Sequence, residues 1–330
     1  MSIIPVEVPT GAIRYNTDSN KMECFDGTKW WEISVSPSSP IGGRGIINTG
    51  GSGSNSIEYL EIATKGNTVD FGNRTGSYEP SQNATASRTR GIFAGGEGNT
   101  DTIDYVTIAQ AGDAVDFGNL VSDRGAGPGA VGNQVRGVFA GGRNPGSVNT
   151  IEYITITSTG NSTDFGDMTA VTQWPGGLSS PTRGLFMGGN GAPGSPSYVK
   201  TIDYITLMST GNASDFGDLI EIAQAVSGVS NSVRGLMAGG QTPSGATDLA
   251  TINMVQIATL GNGQDFGDLS LKRRACGGVG SPIRGIWVAG HPATNIIDYV
   301  DIATTGNATD FGDAITGGFA AGTSNCHGGL

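Results

Sequence analysis

The sequence predicts an all-β protein assembled from one repeated unit of short strands. Glycine accounts for 56 of 330 residues, far above the ordinary level of about 7 %, and a glycine inside a helix costs about 1 kcal/mol relative to alanine. No segment shows the three-to-four spacing of an amphipathic helix. One unit recurs six times between residues 40 and 330, with a period of about 45 to 51 residues that is typical of propellers and solenoids.

Each copy opens on an Arg-Gly pair that leads a short apolar strand ending in a glycine doublet. The copies, numbered here as repeats one to six, begin at Arg44, Arg90, Arg136, Arg183, Arg234 and Arg284. In the sixth copy one glycine of the doublet is lost. A variable loop follows, and then a strand such as 201–207, in which Ile202 and Tyr204 point to one face and Ile205 to the other. A strand that is apolar on both faces fits a sheet packed between two neighbouring sheets.

Each copy closes on Asp-Phe-Gly, usually after a Gly-Asn turn. The closing motif begins at Asp70, Asp116, Asp164, Asp215, Asp265 and Asp310. Its repetition favours turn capping that fixes each outer strand. Cation binding is the alternative, but calcium needs six to eight converging oxygens. The arginine that opens each copy is expected to pair with a carboxylate or carbonyl of its own repeat, the alternative being a ring of arginines that attracts an anion near the axis.

The two ends of the repeat region complement each other. The tail from Gly318 to Leu330 aligns with the innermost strand around Arg273–Gly277, which precedes the sixth Arg-Gly, whereas no comparable strand precedes Arg44. Pairing of the tail with the Arg44 strand would leave only short protected edges. The sequence therefore predicts six four-stranded blades, with the C-terminal strand closing the first into a six-bladed β-propeller.

The glycine doublet, the aromatic residue two-thirds of the way through and the six copies resemble the kelch-type six-bladed β-propeller. Phe71 and its equivalents stand where a tryptophan is common in that family. The resemblance implies the fold. Its relative, the galactose oxidase propeller, uses a copper site of His, Tyr and Cys, and this chain has only two histidines.

Residues 1–38 do not repeat and form a separate predicted domain before the propeller at 39–330. Segments 11–16, 21–25 and 28–33 read as a three-stranded meander, and Asp26-Gly27 is a hairpin signal. A meander of this size cannot bury its apolar face alone. Its aromatic side chains are therefore candidates for docking to another protein surface: Tyr15, Phe25, Trp30 and Trp31. Residues 34–40 have linker composition.

The segment 9–17 with 25–30 resembles a short module found near the termini of tailed-phage virion proteins, especially tail fibres and appendages of marine and cyanobacterial phages. Repeats of the Thr-Ile-Asp-Tyr-Ile-Thr and Asp-Phe-Gly-Asp type also resemble those proteins. The resemblance implies a virion structural protein, a tail fibre or adhesin that is multimeric on the particle and contacts other virion proteins through its N-terminal module. The alternatives are a capsid decoration or tail connector without a receptor role, and a free carbohydrate-binding propeller.

Composition argues against several functions. The formal charge of −11 gives no basis for gripping nucleic acid, whose affinity comes mainly from Lys and Arg. No stretch approaches the roughly 18 apolar residues of a membrane span, and the start of the chain lacks a secretory leader. His291 and His327, placed in a variable loop and a frayed terminus, predict neither a catalytic constellation nor a metal site. We therefore expect a protein that is not an enzyme and carries no cofactor or metal.

The loops after the glycine doublets vary most. Because the connection from second to third strand lies on the same face of a blade as the connection between blades, these loops should crowd one face of the disc. Their polar groups suit a host-surface glycan or another polar ligand, the alternative being tolerated surface loops. The candidate ligand-face residues are Arg143, Asn144, Asn190, Tyr198, Gln241, Asp248 and His291.

Overall fold

Every regular element in the described part of the chain is a β-strand. The structure is a computed structural model that describes residues 8–17, 21–32, 43–51, 54–78, 83–96, 98–125, 127–191, 198–243 and 247–330. The chain divides into two compact units, Met1–Ile41 and Gly42–Leu330. Among the described residues, none lies in a helix long and apolar enough to span a bilayer. The predicted linker at 34–40 lies outside the described residues.

The N-terminal unit is an antiparallel meander, in agreement with the sequence prediction. Its strands are β1 (Ile13–Asn16), β2 (Lys21–Phe25) and β3 (Trp30–Glu32), in the order β1-β2-β3. The turn between β2 and β3 is held by Asp26, whose carboxylate accepts hydrogen bonds from the backbone N–H groups of Thr28 and Lys29. Hydrogen bonds from the Thr28 side chain, from these backbone groups and from Trp31 lower the pKa of Asp26.

The larger unit is built from antiparallel sheets. Its strands are β4 (Arg44–Thr49), β5 (Ser56–Glu61), β6 (Val69–Asn73), β7 (Ala84–Ala86), β8 (Arg90–Ala94), β9 (Thr100–Thr107), β10 (Val115–Arg124), β11 (Gly129–Gly132), β12 (Arg136–Ala140), β13 (Arg143–Asn144), β14 (Gly146–Thr155), β15 (Thr163–Thr172), β16 (Gly176–Ser179), β17 (Arg183–Met187), β18 (Thr201–Thr206), β19 (Ser214–Asp218), β20 (Ser227–Ser230), β21 (Arg234–Ala238), β22 (Thr251–Gln256), β23 (Gln264–Asp268), β24 (Gly277–Gly280), β25 (Arg284–Val288), β26 (Ile296–Asp301), β27 (Thr309–Asp313) and β28 (Ala320–Ser324).

The four-stranded sheets have the orders β28-β4-β5-β6, β10-β9-β8-β7, β16-β17-β18-β19, β20-β21-β22-β23 and β24-β25-β26-β27. Repeat three departs from the predicted four strands. Its order is β11-β12-β14-β13, with β15 also paired to β14, because the loop after its glycine doublet adds the short strand β13. The architecture is all-β and β-propeller-like.

The two central strands of each sheet supply the core. In repeat four, Leu185 and Phe186 of β17 and Ile202 of β18 are fully buried. The doublet after β17 takes left-handed backbone, with φ of +62° at Gly188, and a Cβ on that glycine would collide with the carbonyl oxygen of Ala223. In repeat six Ala289 occupies the equivalent place and still adopts φ of +56°, so the turn is kept where its glycine is lost.

The Asp-Phe-Gly motif is itself the outer strand, so the predicted turn role is wrong. In repeat four the motif lies in β19, and Phe216 forms a β-bulge between Asp215 and Gly217, which pair with Asp203 and Ile202. The Phe216 side chain is buried and packs edge-on against Tyr204, with 6.2 Å between ring centroids. The bulge turns the aromatic residue into the sheet while Asp215 stays exposed.

A Gly-Asn turn, replaced by Gly112-Asp113 in repeat two, binds the outer strand of the preceding repeat. The N–H of Gly261 donates to the carbonyl oxygen of Phe216 at 2.9 Å, and the side-chain oxygen of Asn262 accepts from the N–H of Asp218 at 3.0 Å. A Cβ on Gly217 would lie 2.5 Å from the carbonyl oxygen of Gly261. Only glycine therefore allows the two repeats to approach this closely.

Each repeat arginine reaches into the next repeat. The expectation that the arginines bind within their own repeat is met by Arg44, which also pairs with Glu61 at 2.9 Å, but it misses the bonds between repeats. Arg183 donates to the carbonyl oxygen of Ile257 at 3.0 Å, and its guanidinium lies 4.8 Å from the ring centroid of Tyr204 in its own sheet. The other opening arginines make the equivalent bond to a carbonyl of the following repeat, namely Arg44 to Ile108, Arg90 to Ile156, Arg136 to Leu207, Arg234 to Ile302 and Arg284 to Ile62. The arginines thus join repeats.

The C-terminal strand pairs with the first strand of the larger unit, as the sequence predicted. Strand β28 runs antiparallel to β4, with Ala320 opposite Thr49 and Ser324 opposite Gly45. The tail beyond it is ordered against the inner strands, so the prediction of a frayed terminus at His327 is wrong. A channel of about 40 Å³ is lined by inner-strand residues and by His327. The His327 Nε2 atom lies 2.9 Å from the carbonyl oxygen of Ala86.

The tail makes stability depend on pH. His327 Nδ1 accepts a hydrogen bond from Gly329 N–H, and burial lowers the His327 pKa from 6.5 to about 4. Between these values the unfolded chain takes up a proton that the folded chain excludes, so stability falls as pH falls, by up to about 3 kcal/mol. We expect His327→Gln, which cannot titrate, to lose this part of the acid dependence in urea unfolding measured from pH 7 to 4. Parallel pH profiles for the two proteins would contradict the assignment.

Candidate functional site

The variable loops and the connections between sheets meet on one face, called here the loop face. In repeat four the backbone of Asn190 bridges to Gln173 in the connection and to Tyr198. The backbone of Gln241 likewise bridges to Gln224 and Asp248. The same kind of bridge joins Gly125 to Arg143 and Arg274 to His291. The predicted ligand residues therefore lie at equivalent places of successive repeats, although loop segments 192–197 and 244–246 lie outside the described residues.

A pocket of about 160 Å³ opens where these connections enter the inner strands. It is lined by Trp174, Gln224, Ala225, Gln241, Arg274, Ala275 and Phe319, and is called here the Trp174 pocket. Its base is an arc of backbone hydrogen bonds. The N–H of Ala225 donates to Trp174, that of Ala275 to Ala225, and that of Ala320 to Ala275. The pocket thus spans the starts of consecutive inner strands.

Trp174 occupies a backbone conformation that suits a tryptophan poorly. Trp174, Ala225 and Ala275 stand two residues before their inner strands, with φ of +54°, +54° and +50°. Gly318 takes the equivalent position before β28, with φ of +109°. Left-handed backbone costs a residue with a Cβ about 1 to 2 kcal/mol, and a large side chain there is a true outlier. A strained aromatic residue at the mouth of a pocket points to a role in binding.

The polar wall of the pocket is buried and incompletely paired. The Gln224 side chain is 5 % exposed and donates through Nε2 to Gln241 Oε1 at 3.0 Å. Among the described residues, none donates a hydrogen bond to Gln224 Oε1, and a buried acceptor without a partner costs about 1 to 3 kcal/mol. Tyr198 OH lies 3.5 Å from Gln241 Oε1.

The cation in the wall is already compensated. Arg274 donates to Asp248 Oδ1 at 2.7 Å, with both side chains largely buried. His291 lies beside them, its ring centroid 5.2 Å from that of Phe319. Burial and the charge of Arg274 lower the His291 pKa, so this ring is neutral at pH 7. The pocket therefore presents no net charge from these groups.

The predicted ligand residues divide into two sets. Gln241 lines the Trp174 pocket, and Tyr198, Asp248 and His291 contact residues that line it. Arg143, Asn144 and Asn190 lie on the loop face but outside the pocket lining.

Sequence reasoning missed the other six lining residues, Trp174, Gln224, Ala225, Arg274, Ala275 and Phe319. One signal could have found the first of them. Trp174 stands where repeats five and six carry Ala225 and Ala275, and a lone aromatic residue at an otherwise small position suggests a specific role.

The predicted docking residues of the N-terminal meander do not form one surface. Strand register places Tyr15 and Trp31 on one face, together with Ile13 and Met22, and these four side chains are 43 to 61 % exposed. Phe25 and Trp30 lie opposite each other on the other face, with ring centroids 5.2 Å apart. Only Tyr15 and Trp31 of the predicted set therefore belong to an exposed apolar face.

The remaining reactive groups are dispersed. Among the described residues, no group of three or more His, Cys, Asp or Glu side chains is placed to hold a metal ion, and the Asp-Phe-Gly-Asp segments form no such group. The three cysteines, Cys24, Cys276 and Cys326, are free. No protein-family model matches this chain, and no curated protein matches it.

Proposed function

We propose that the larger unit is a closed six-bladed β-propeller of the kelch-like type. The inner strands contact one another in the order β7, β11, β16, β20, β24 and β28, and β28 also contacts β7. The bonds that join consecutive repeats recur between the last repeat and the first. Gly66 N–H donates to Phe311 O at 2.9 Å, and Asn67 Oδ1 accepts from Asp313 N–H at 3.0 Å. These contacts support a ring without a free end.

On this scaffold we propose a binding function in the virion of a tailed phage, as a tail fibre, appendage or adhesin. The propeller would present the loop face to a host-surface glycan, and the N-terminal meander would attach it to other virion proteins in several copies. The virion assignment draws on the sequence resemblance. The binding assignment rests on one observation, the Trp174 pocket with its strained aromatic residue and unpaired acceptor.

A role without catalysis or cofactor fits the groups around this pocket. The two charged side chains there, Arg274 and Asp248, form an ion pair with each other. His291 is stacked against Phe319, and the neighbouring Asp248 carboxylate is engaged by Arg274. These groups suit recognition by shape and hydrogen bonding.

The exposed apolar face of the meander supports attachment through it. Tyr15 and Trp31 are exposed on this face and suit a protein interface. We expect deletion of residues 1–38 to leave a folded propeller that no longer joins particles. Particle incorporation can be measured by immunoblotting purified virions produced with the deleted protein. Unchanged incorporation would contradict attachment by the meander.

Presentation to the host is tested separately. A glycan array probed with the whole chain should detect binding to host-derived sugars if the protein is an adhesin. Silence on the array together with normal particle incorporation would favour the alternative of a capsid decoration or tail connector. Binding to sugars without incorporation would favour a free carbohydrate-binding propeller.

A further inference from the structure

We propose that the Trp174 pocket binds the terminal ring of a neutral glycan, one pyranose unit inserted end-on. This inference deepens the proposed binding function and rests on it. Its starting point is the pocket size, about 160 Å³. That volume is about five times the roughly 30 Å³ share of one water molecule and lies below the roughly 300 Å³ of ordinary small-molecule sites. It can hold one ring, while the next sugar of a chain must remain outside.

The lining selects an amphipathic ring. Trp174 and Phe319 provide aromatic surface, and Ala225 and Ala275 provide the apolar base. Aromatic side chains offer large rigid contact area for the apolar face of such a ring. A purely apolar ligand would exclude water from the polar wall, from Gln241 and the Arg274–Asp248 pair, which is unfavourable. A pyranose carries C–H faces for the aromatic surfaces and hydroxyl groups for this polar wall.

The electrostatics select a neutral sugar. The only cation among the residues lining this described pocket is Arg274, and its bond to Asp248 at 2.7 Å already compensates the charge. An acidic sugar would have to displace Asp248 or bring a second carboxylate beside it, and like charges in a partly buried site repel strongly. Hydroxyl groups can bond to the same pair without disturbing it.

Comparison between repeats indicates that the fold does not need a large side chain at position 174. Equivalent positions hold Ala225, Ala275 and Gly318, all with positive φ. The backbone therefore forms without a large side chain, and Trp174→Ala copies the residue of repeats five and six. This variant should fold at least as well as the natural chain, because alanine occupies the same backbone conformation in repeats five and six. A loss of binding in this variant would therefore report on the tryptophan side chain and not on folding.

The experiment titrates the full chain with methyl glycosides of the common neutral hexoses and N-acetylhexosamines, followed by saturation-transfer NMR and calorimetry. We expect at least one to bind with a dissociation constant of about 1 mM. Trp174→Ala should weaken it at least about tenfold, and Gln224→Ala should weaken it severalfold. Ile220→Ala, which removes an exposed apolar side chain of the loop face, should bind like the natural chain. Thermal unfolding of each variant reports whether it folds.

Three results would overturn the inference: no binding by any neutral glycoside, binding only by methyl uronates or sialosides, or undiminished binding by a folded Trp174→Ala variant. The glycan array separates this failure from failure of the proposed function. Array binding that persists in Trp174→Ala would keep the adhesin and reject the pocket. Array silence with the natural chain, while a neutral glycoside still binds in solution, would reject the adhesin and keep the pocket.

Discussion

A chain that ends at Gly317 is expected not to fold cooperatively. It lacks β28, the inner strand that pairs with β4 from Thr49 to Gly45. Its loss removes the hydrogen-bond partners of the β4 backbone. It also exposes Ile46 and Ile47, which are fully buried in the complete chain. Each lost hydrogen bond costs about 0.5 to 1.5 kcal/mol and each uncovered isoleucine about 1.5 to 3 kcal/mol. The sum approaches the 5 to 15 kcal/mol that stabilises a typical protein.

Urea unfolding followed by circular dichroism and tryptophan fluorescence measures this effect, because Trp287 is fully buried. The control ends at Asn325, which keeps β28 and removes only the tail with His327. It should fold, with a lower unfolding midpoint. A synthetic peptide of residues 318–330 added to the shorter chain should restore a cooperative transition if the strand itself is what the chain needs. An unchanged midpoint for the chain ending at Gly317 would refute the closing role of β28.

The pairing of β28 with β4 was predictable from the sequence because it depends only on counting strands in the repeats. The repeat pattern is strong, and the tail from Gly318 resembles an inner strand that lacks its copy at Arg44. Period-two alternation and glycine doublets likewise predicted the strands themselves. Such features depend on local pattern, which a single sequence displays directly.

The contacts between repeats were not predictable in the same way. The bond from Arg183 to Ile257 O joins residues 74 positions apart, and its choice of partner depends on how one sheet sits against the next. The bulge at Phe216 was not predictable either. Asp and Gly form turns in most contexts, so the sequence favoured a turn role for Asp-Phe-Gly. Here neighbouring backbone at Gly261 requires glycine at 217.

The Trp174 pocket was not predictable from the sequence for a similar reason. Its lining residues come from connections of several repeats, and Trp174 and Ala225, which have left-handed backbone, are joined by hydrogen bonds between repeats. Loop composition indicated the loop face and Gln241 as candidates, a prediction that stays untested, but it did not indicate the aromatic walls. Side chains that converge from separate repeats leave no fixed spacing in the sequence.

Each sheet also buries an acidic or amide side chain in its third strand, counted from the inner strand, at the same position in every repeat. The sequence alone did not predict that these side chains are buried. They are Glu58, Asp104, Glu152, Asp203, Asn253 and Asp298, all at most 7 % exposed. Three of them pair with buried arginines that precede the inner strand of the same repeat, Asp104 with Arg74, Glu152 with Arg124 and Asp298 with Arg273. Asp203 is bonded instead to Thr169, and burial raises its pKa.

Removal of one partner from such a pair should be strongly destabilising. Arg273 and Asp298 are both fully buried, with 3.1 Å between the guanidinium Nη2 and Oδ2. Arg273→Ala leaves the Asp298 carboxylate buried without its counter-charge. Asp298→Asn likewise leaves the Arg273 guanidinium buried without a counter-charge. Each single change is expected to lower the free energy of unfolding by about 3 to 5 kcal/mol. Urea unfolding of the full chain at pH 7 measures it.

Repeat five supplies the matched control, because it carries Ala223 and Asn253 at the equivalent positions and folds as a four-stranded sheet without a buried charge pair there. The double variant Arg273→Ala/Asp298→Asn copies that arrangement. It should be less destabilised than the sum of the two single variants, with a coupling of about 2 to 3 kcal/mol, since no charge is left uncompensated. Simple additivity would show that the cost arises from lost packing volume, and the pair would then contribute nothing specific to the sheet.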